Sequence, residues 1–260
     1  MVQGLRQILA GLFLILACVA PMAGAQDSKN SGSLAPTLKY TTVTGDEQKF
    51  REDWWTREGW AGGFDELSFE RKFRNDLSLS FEGLVIVPEE DYRLRMKMAR
   101  EDRGYFLVEY TEFRKYFDGT GGFYRPFEAS PFELGKDLHL DVGDFRLEVG
   151  LTQPGLPKLA VWYEHRFKEG SESLLGWGRV IQADNSKNIF PSFKDVSEET
   201  DVIGLDVEHA IGKVQVGDNF RYERYRTDTK RFDEERNAVD RRSRCRDVPE
   251  QKSQSVRFRL

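Results

Sequence analysis

The sequence predicts an all-β protein, an antiparallel up-and-down transmembrane β-barrel that is either partial or small. Two observations predict this fold class. Apolar and polar side chains alternate in segments of about 9 to 13 residues, which covers the length that a tilted strand needs to cross a bilayer. The mean hydropathy of −0.60 excludes a bundle of membrane helices. It fits a barrel, because only alternate residues of a barrel strand contact lipid.

The N-terminus carries an export signal. Arg6 precedes an apolar run over residues 8–20, and the small residues at 23–25 offer a signal-peptidase site. The apolar run, of about 13 residues, is shorter than the roughly 20 that a membrane helix needs. We therefore expect residues 1–25 to be a signal peptide that is cleaved after Ala25.

The alternation begins after a polar lead-in. Residues 26–62 are rich in Ser, Thr, Gly and charged residues without a sustained period, so we expect a flexible periplasmic segment there. Residues 63–232 then predict roughly nine or ten strands and no helix. In the cleanest strand, apolar side chains alternate with mostly cationic ones: Tyr92, Leu94, Met96 and Met98 against Arg93, Arg95, Lys97 and Ala99. Such a strand has one apolar face and one cationic face.

Within residues 138–151 the apolar positions change from even-numbered to odd-numbered residues. Leu138, Leu140 and Val142 precede the Gly143–Asp144 pair, whereas the apolar residues after it are Phe145, Leu147, Val149 and Leu151. This change predicts a tight hairpin or a bulge at Gly143–Asp144. Charged side chains dominate residues 233–260, which predicts a disordered or artefactual tail, although residues 256–260 alternate and could be the stub of a closing strand. The remaining strands are predicted at residues 159–167, 174–181, 202–210 and 214–225.

Composition excludes several functional classes. The full chain contains 39 basic and 44 acidic residues, and removal of the signal peptide would take away one basic residue, Arg6. The mature chain would therefore be negatively charged, and nucleic acid is not an expected partner. Cys245 would be the one remaining cysteine, which excludes a disulfide framework and covalent haem attachment. The sequence contains no nucleophile elbow, phosphate loop or zinc-protease motif. We therefore expect no catalytic residues, no metal site, no cofactor and no enzymatic activity.

One row of cationic side chains predicts a binding surface. Arg93, Arg95 and Lys97 would share one face of their strand, with Arg71 and Arg114 on adjoining strands. Lipid-facing placement is excluded, because each Arg or Lys at the bilayer midplane costs about 2 to 4 kcal/mol. If the row faces a lumen, it would attract anions or an acidic guest. The other interpretation is a lumen of mixed charge, in which acidic side chains of neighbouring strands neutralise the row.

Three segments resemble a known family. They are residues 45–52 (Gly-Asp-Glu-Gln-Lys-Phe-Arg-Glu), residues 112–124 (Glu-Phe-Arg-Lys-Tyr-Phe-Asp-Gly-Thr-Gly-Gly-Phe-Tyr) and residues 150–158 (Gly-Leu-Thr-Gln-Pro-Gly-Leu-Pro-Lys), the last followed by Tyr163–Glu164. These turn-and-strand patterns resemble the MtrB/PioB-type barrels, outer-membrane proteins associated with multihaem cytochromes.

The resemblance implies a location in the bacterial outer membrane and contact with outer-membrane lipids. It also implies a partner: the barrel would be an insulating sheath around a periplasmic multihaem c-type cytochrome that passes electrons outward. A barrel of about ten strands is too narrow for such a guest, because diameter grows with strand number. The chain would then be an N-terminal portion of a wider pore.

The sequence leaves other functions open beside a porin-like barrel or cytochrome sheath. One is a ligand-binding β-sandwich in the periplasm. It could also be a lipoprotein, because residues 15–18, Ile-Leu-Ala-Cys, resemble a lipoprotein cleavage box that would leave Cys18 as the lipidated N-terminus. A surface hydrolase is a third function, indicated by scattered carboxylates alone.

Overall fold

A single antiparallel sheet accounts for most of the described chain. The computed structural model describes residues 30–73, 76–119, 134–182, 185–212, 214–237 and 240–247. Ten strands follow one another in chain order, and each is hydrogen-bonded to the next. They are β1 (Asn30–Thr41), β2 (Gly59–Lys72), β3 (Leu77–Ile86), β4 (Asp91–Arg100), β5 (Gly104–Phe117), β6 (Leu138–Leu151), β7 (Lys158–Gln182), β8 (Asn185–Ile211), β9 (Val214–Asn237) and β10 (Asp240–Asp247). The prediction of an all-β, antiparallel up-and-down sheet is confirmed.

The two faces of the sheet differ in character. Successive residues of a strand point to opposite faces, so the pairing register assigns each side chain to one of them. The apolar face is the one that carries Met96, Val108 and Leu147, which are direct cross-strand partners. The charged face carries their chain neighbours, among them Arg95 and Glu109, which pair with each other.

The two ends of the sheet differ in their connections. At the short-turn end the strands are joined through residues 73–76, 101–103, 152–157 and 212–213. The opposite end, the long-loop end, carries the two longest connections, residues 42–58 and 118–137. Odd-numbered strands run toward the long-loop end and even-numbered strands run back.

β6 is one uninterrupted strand. Its pairing with β5 and with β7 runs through Gly143 and Asp144 without a register shift, so the predicted hairpin or bulge at this pair is wrong. The change of parity has another cause. The apolar side chains of β6 move from the charged-face side, where Leu138 and Leu140 are buried, to the apolar face at Phe145.

The sheet begins earlier than the sequence predicted. Residues 30–62, expected as a flexible lead-in, form β1, the helix α1 (Glu47–Trp54) and the start of β2. Asp46 caps α1 by accepting a hydrogen bond from the Lys49 N–H at 3.0 Å, and Trp55 ends it in a left-handed conformation. The alternation of β1 is weak in the sequence, because its apolar face includes Asn30, Gly32 and Pro36 beside Leu34, Leu38 and Tyr40; the extra residue at the register shift is Asp65 of β2.

Three strands are much longer than predicted. β7, β8 and β9 contain 25, 27 and 24 residues. The segments predicted at 159–167 and 174–181 are parts of β7, and β8 extends well before the segment predicted at 202–210. β9 and β10 also occupy residues 233–237 and 240–247, where the charged composition predicted disorder. Cross-strand pairing supplies the hydrogen bonds that this composition does not reveal.

Two predictions concern residues that the structure does not describe. The signal peptide with its cleavage site at Ala25 lies there, and so does Cys18 of the lipoprotein interpretation. Among the helices that the structure describes, none is long and apolar enough to cross a membrane.

Candidate functional site

The charged face carries a ladder of alternating charge. Glu82, Arg95, Glu109, Arg146 and Glu164 lie in one hydrogen-bonded row, each the direct cross-strand partner of the next. Cross-strand partners have Cβ atoms about 4.5 to 5.5 Å apart, so the signs alternate at contact distance across five strands. This order lowers the repulsion that a one-sign row would suffer.

Ion pairs connect the rungs of the ladder. Arg95 Nε lies 3.2 Å from Glu109 Oε1, and Arg146 contacts both Glu148 and, at 3.7 Å, Glu164. Burial increases along the row: the Arg95 side chain is 53% exposed, whereas the Glu164 side chain is 11% exposed. The charged face is therefore wet on β4 and closely packed on β7.

The predicted cationic row lies on this face. Arg93, Arg95 and Lys97 follow one another on β4, as the alternation predicted. Arg93 lies 3.7 Å from an Asp91 oxygen, and the Lys97 ammonium lies 5.2 Å from the centre of the Tyr105 ring. With Glu109 beside Arg95, the row has acidic and aromatic neighbours, and its exposure to a lumen stays a prediction.

Two cations expected near the row lie elsewhere. Arg71 pairs with Leu79 and Arg114 pairs with Asp141, positions that belong to the opposite side of the sheet. The Arg114 Nε lies 2.6 Å from Asp141 Oδ1. The face of Arg71 follows from its pairing in the β2–β3 hairpin, which is in register from Lys72–Ser78 to Leu67–Gly83 and could not be read from the sequence.

Large rings lie over glycines on the charged face. A Cβ at Gly204 would lie 2.1 Å from an atom of the Trp162 ring, and a Cβ at Gly150 would lie 2.2 Å from the Tyr105 ring. The Trp162 Nε1–H donates to Asp206 at 3.0 Å across the strand pair. These glycines are needed for the close approach of a ring to the backbone.

The apolar face is exposed. Among the strand residues whose side-chain exposure the structure describes, the large apolar side chains that are exposed all lie on this face. Those of the central strands include Val161, 52% exposed, and Leu151, 54% exposed. The full set is Leu34, Leu38, Tyr40, Trp60, Met98, Val149, Leu151, Val161, Ile203, Leu205, Val214, Val216 and Phe220. A water-soluble sheet would cover such a surface.

A belt of aromatic residues borders this surface toward the long-loop end. Beyond the belt the same face is polar, and hydroxyl groups of the belt point to carboxylates there. The Tyr163 hydroxyl donates to Asp201 at 2.7 Å and the Tyr92 hydroxyl donates to Glu90 at 3.0 Å. The belt consists of Tyr40, Trp60, Tyr92, Tyr110, Phe145, Tyr163 and Tyr222. Its sequence signal, an aromatic residue near one end of the alternating run, was noted at Trp60 alone; β3 and β8 have Val85 and Ile203 in place of a ring.

The belt crosses the strands obliquely. The row that contains Tyr92 passes through Glu112 of β5, two residues beyond the belt residue Tyr110. From β1 to β9 the belt moves toward the short-turn end by about one residue per strand. With about 3.3 Å of rise per residue and about 4.8 Å between strands, this slope corresponds to a strand tilt of about 35° relative to the belt's normal.

The apolar surface has a limited height. On β4 it extends from Tyr92 to Met98, and on β6 from Phe145 to Leu151. Six residue steps cover about 20 Å along a strand, or about 16 Å of height at the tilt given above. On β9 the surface extends from Tyr222 to Val214, interrupted by Asp218, and reaches about 22 Å.

A polar cluster at the long-loop end fixes α1 to the sheet. The pairing of β5 with β4 ends at Glu112, and α1 packs where β4 is missing, with Trp55 stacked on Phe113 at 5.5 Å. Asp137 accepts from both Arg51 and Arg57, and the two guanidinium groups lie 4.7 and 5.0 Å from the centre of the Tyr116 ring. We call the cluster of Arg51, Arg57, Tyr116 and Asp137 the clasp.

Electrostatics tune the clasp. Burial raises the pKa of Asp137, but the guanidinium groups of Arg51 and Arg57 outweigh burial and hold that pKa below its usual range. Burial, and then the nearby Arg114 guanidinium, lower the pKa of His139, so its imidazole is neutral near pH 7. The clasp is thus an ionised contact at neutral pH.

The described residues contain no group of three or more His, Cys, Asp or Glu side chains that could hold a metal ion. No family model, no curated protein and no solved structure matches the chain. The two faces of the sheet and the belt are therefore the features from which a function can be proposed.

Proposed function

We propose that this chain forms part of the wall of a β-barrel in the bacterial outer membrane, without enzymatic activity. One observation carries the proposal: where side-chain exposure is described, the large exposed apolar side chains of the strands all lie on one face, and the ladder of alternating charge lies on the opposite face. A sheet between lipid and water requires this arrangement. A soluble two-sheet sandwich would cover its apolar faces against each other, whereas the described strands form one sheet.

The belt supports a membrane location. Rings of Tyr, Trp and Phe concentrate where hydrocarbon meets water, with the polar end of the side chain toward water. The Tyr163 hydroxyl fits this pattern, because it donates to the carboxylate of Asp201 beyond the belt. The slope of the belt gives a strand tilt of about 35°, and transmembrane barrels have tilts of about 35 to 45°. The surface reaches about 16 to 22 Å in height, approaching the apolar band of about 25 Å in outer-membrane barrels.

The ends of the sheet supply an orientation. Outer-membrane barrels have short turns on the periplasmic side and longer loops on the outside. The short-turn end would accordingly face the periplasm. The long-loop end, with α1, the clasp and the extended parts of β7 to β9, would face outward.

Spin labels test the proposal. Nitroxides at Leu147 and Arg146, adjacent on β6, are compared in vesicles for collision with oxygen and with a water-soluble nickel chelate. We expect the label at 147 to meet oxygen alone and the label at 146 to meet the chelate. Labels at Ser197 and Glu198, adjacent on β8 beyond the belt, are the matched control and should both meet the chelate. Equal access of the chelate at 146 and 147 contradicts the proposal.

We further propose that the charged face encloses a multihaem c-type cytochrome. The support is the resemblance of residues 45–52, 112–124 and 150–158 to MtrB/PioB-type barrels, together with a charged face suited to an ionic guest. An affinity-tagged chain purified from its native membranes should carry a covalent-haem protein. A haem-free preparation that makes vesicles permeable to small solutes would instead favour a diffusion porin.

A further inference from the structure

Two arginines lie at the short-turn border of the apolar face. Arg71 of β2 pairs with Leu79 of β3, which in turn pairs with Met98 of β4. Arg100 follows Met98 by two residues on the same face, ends β4 and pairs with Leu77. β3 therefore places two leucines between the two arginines.

The two arginines lie at similar depths relative to the belt. The row of Arg100 is two residues closer to the short-turn end than the row of Arg71, over two strands, and this is the slope of the belt. Arg100 is eight residue steps from the belt residue Tyr92, or about 22 Å of height at the tilt of about 35°. Arg71 is ten paired steps from Trp60, or about 27 Å. These heights bracket the apolar band of about 25 Å in outer-membrane barrels, so both arginines lie where that band ends.

Neither guanidinium group is neutralised within the described part of the chain. The Arg71 guanidinium lies 4.9 Å from the centre of the Phe73 ring, and its Nε is shielded from solvent without a hydrogen-bond partner. Arg100 is exposed, and no described carboxylate forms an ion pair with it or with Arg71. On the opposite face, by contrast, Arg95 pairs with Glu109. The apolar face thus presents two unpaired cations at the depth where a lipid carries its phosphate.

We infer that Arg71 and Arg100 together bind the phosphate diester of a phospholipid, in the periplasmic leaflet if the short-turn end faces the periplasm. The inference rests on the proposed membrane location. Two strands and two residue steps separate the Cα atoms by about 12 Å, so two extended arginine side chains that converge over Leu77 and Leu79 can share one phosphate. A guanidinium group is always charged and presents a fork of N–H donors that matches phosphate oxygens. The acyl chains of the lipid lie against the apolar side chains between this pair and the belt.

Lipid retention tests the inference. The full chain in dodecyl maltoside is titrated with dioctanoyl phosphatidylglycerol, and native mass spectrometry measures the bound lipid. We expect saturable retention that inorganic phosphate does not displace, and much weaker retention of dioctanoyl glycerol, which lacks the phosphate. Arg71→Gln combined with Arg100→Gln should weaken retention by about tenfold or more, because both charge-assisted hydrogen-bond donors are lost. Arg93→Gln combined with Arg95→Gln is the matched control, because it removes two exposed arginines of β4 from the opposite face and should leave retention unchanged.

Each other outcome overturns the inference. Equal retention by the two double variants would mean that the arginines extend into water without holding a lipid. Equal retention of dioctanoyl glycerol would assign the binding to the apolar side chains alone, and displacement by inorganic phosphate would assign the pair to a free anion. These two comparisons use the unmodified chain, so they decide the question even if the double variant does not fold.

The spin labels at positions 146 and 147 keep this inference separate from the proposed membrane location. If the chelate reaches both labels equally, the membrane location fails and the lipid site fails with it. If the labels differ as expected while the two double variants retain lipid equally, the lipid site alone is rejected.

Discussion

The parts of the sheet on either side of the belt share a backbone but not a pattern. Between the belt and the short turns, one face is mainly apolar, with Arg71 of β2 and Asp218 of β9 as charged exceptions, and the other face is charged. Beyond the belt, β8 places Glu198 on one face and Glu199 on the other, while β6 buries Leu138 and Leu140 on the side that is charged below. The same strands thus continue from a level that suits lipid into a level that suits water. The backbone hydrogen bonds of the sheet are the same in both parts, so the difference between the two surroundings is seen in the side chains alone.

The largest expected effect is a charge placed on the apolar face. Leu147→Arg should destabilise the membrane-inserted protein by about 2 to 4 kcal/mol, because the guanidinium group would lie in hydrocarbon. Ser197→Arg, on the same side of the sheet but beyond the belt, is the control and should be nearly neutral. Urea titration in vesicles, followed by heat-dependent gel mobility, measures both. Similar losses for the two variants would remove the distinction between the two levels.

The next effect concerns the packing of the charged face. Gly204→Ala would bring a Cβ to 2.1 Å from the Trp162 ring, so the ring must leave and its hydrogen bond to Asp206 breaks. We expect a loss of about 1 to 3 kcal/mol in the same titration. Gly217→Ala is the control, because its nearest neighbour would be a backbone oxygen at 3.7 Å. A wild-type midpoint for Gly204→Ala would show that this ring is free to move.

The sequence predicted the part of the sheet between the belt and the short turns better than the part beyond the belt. The alternation of apolar and charged residues correctly predicted that Leu94 and Arg95 lie on opposite faces, because successive side chains of a strand point to opposite faces of the sheet. Parity failed at Gly143, where the apolar residues of β6 change sides although the strand continues. β1 was missed because its stability comes from pairing with β2, a contact distant in sequence. The clasp has no local signal, since Arg51 and Asp137 meet only in the fold.

The third effect sharpens the comparison at the long-loop end. The pKa of Asp137 is lower in the folded protein than in the unfolded chain. The contribution of Asp137 to the stability of the clasp is therefore complete above the unfolded pKa and is lost as the pH falls through the folded value, below about pH 4. Asp137→Asn should weaken the clasp at every pH, by about 1 kcal/mol, and abolish the acid step.

Hydrogen exchange of the α1 amides from pH 3 to 7, corrected for the intrinsic rate, measures the clasp. Asp53→Asn is the control, because Asp53 is an exposed carboxylate of the same helix and makes no contact with the clasp's Asp137. Retention of the acid step in Asp137→Asn would assign that step to another carboxyl group.

The smallest effect on stability falls on the cationic row, where the proposed function is most sensitive. Arg95 is half exposed and pairs with Glu109 at 3.2 Å, so Arg95→Gln should cost about 0.2 to 1 kcal/mol. If the charged face lines a lumen, the same change removes a positive charge from the path of ions. The reversal potential of protein purified from native membranes should then shift toward cation selectivity. Arg100→Gln, an equal change of charge on an exposed residue at the short-turn end, should shift it less. Equal shifts for the two variants would mean that the pore responds to net charge, and that the ladder behind the apolar face does not line the path.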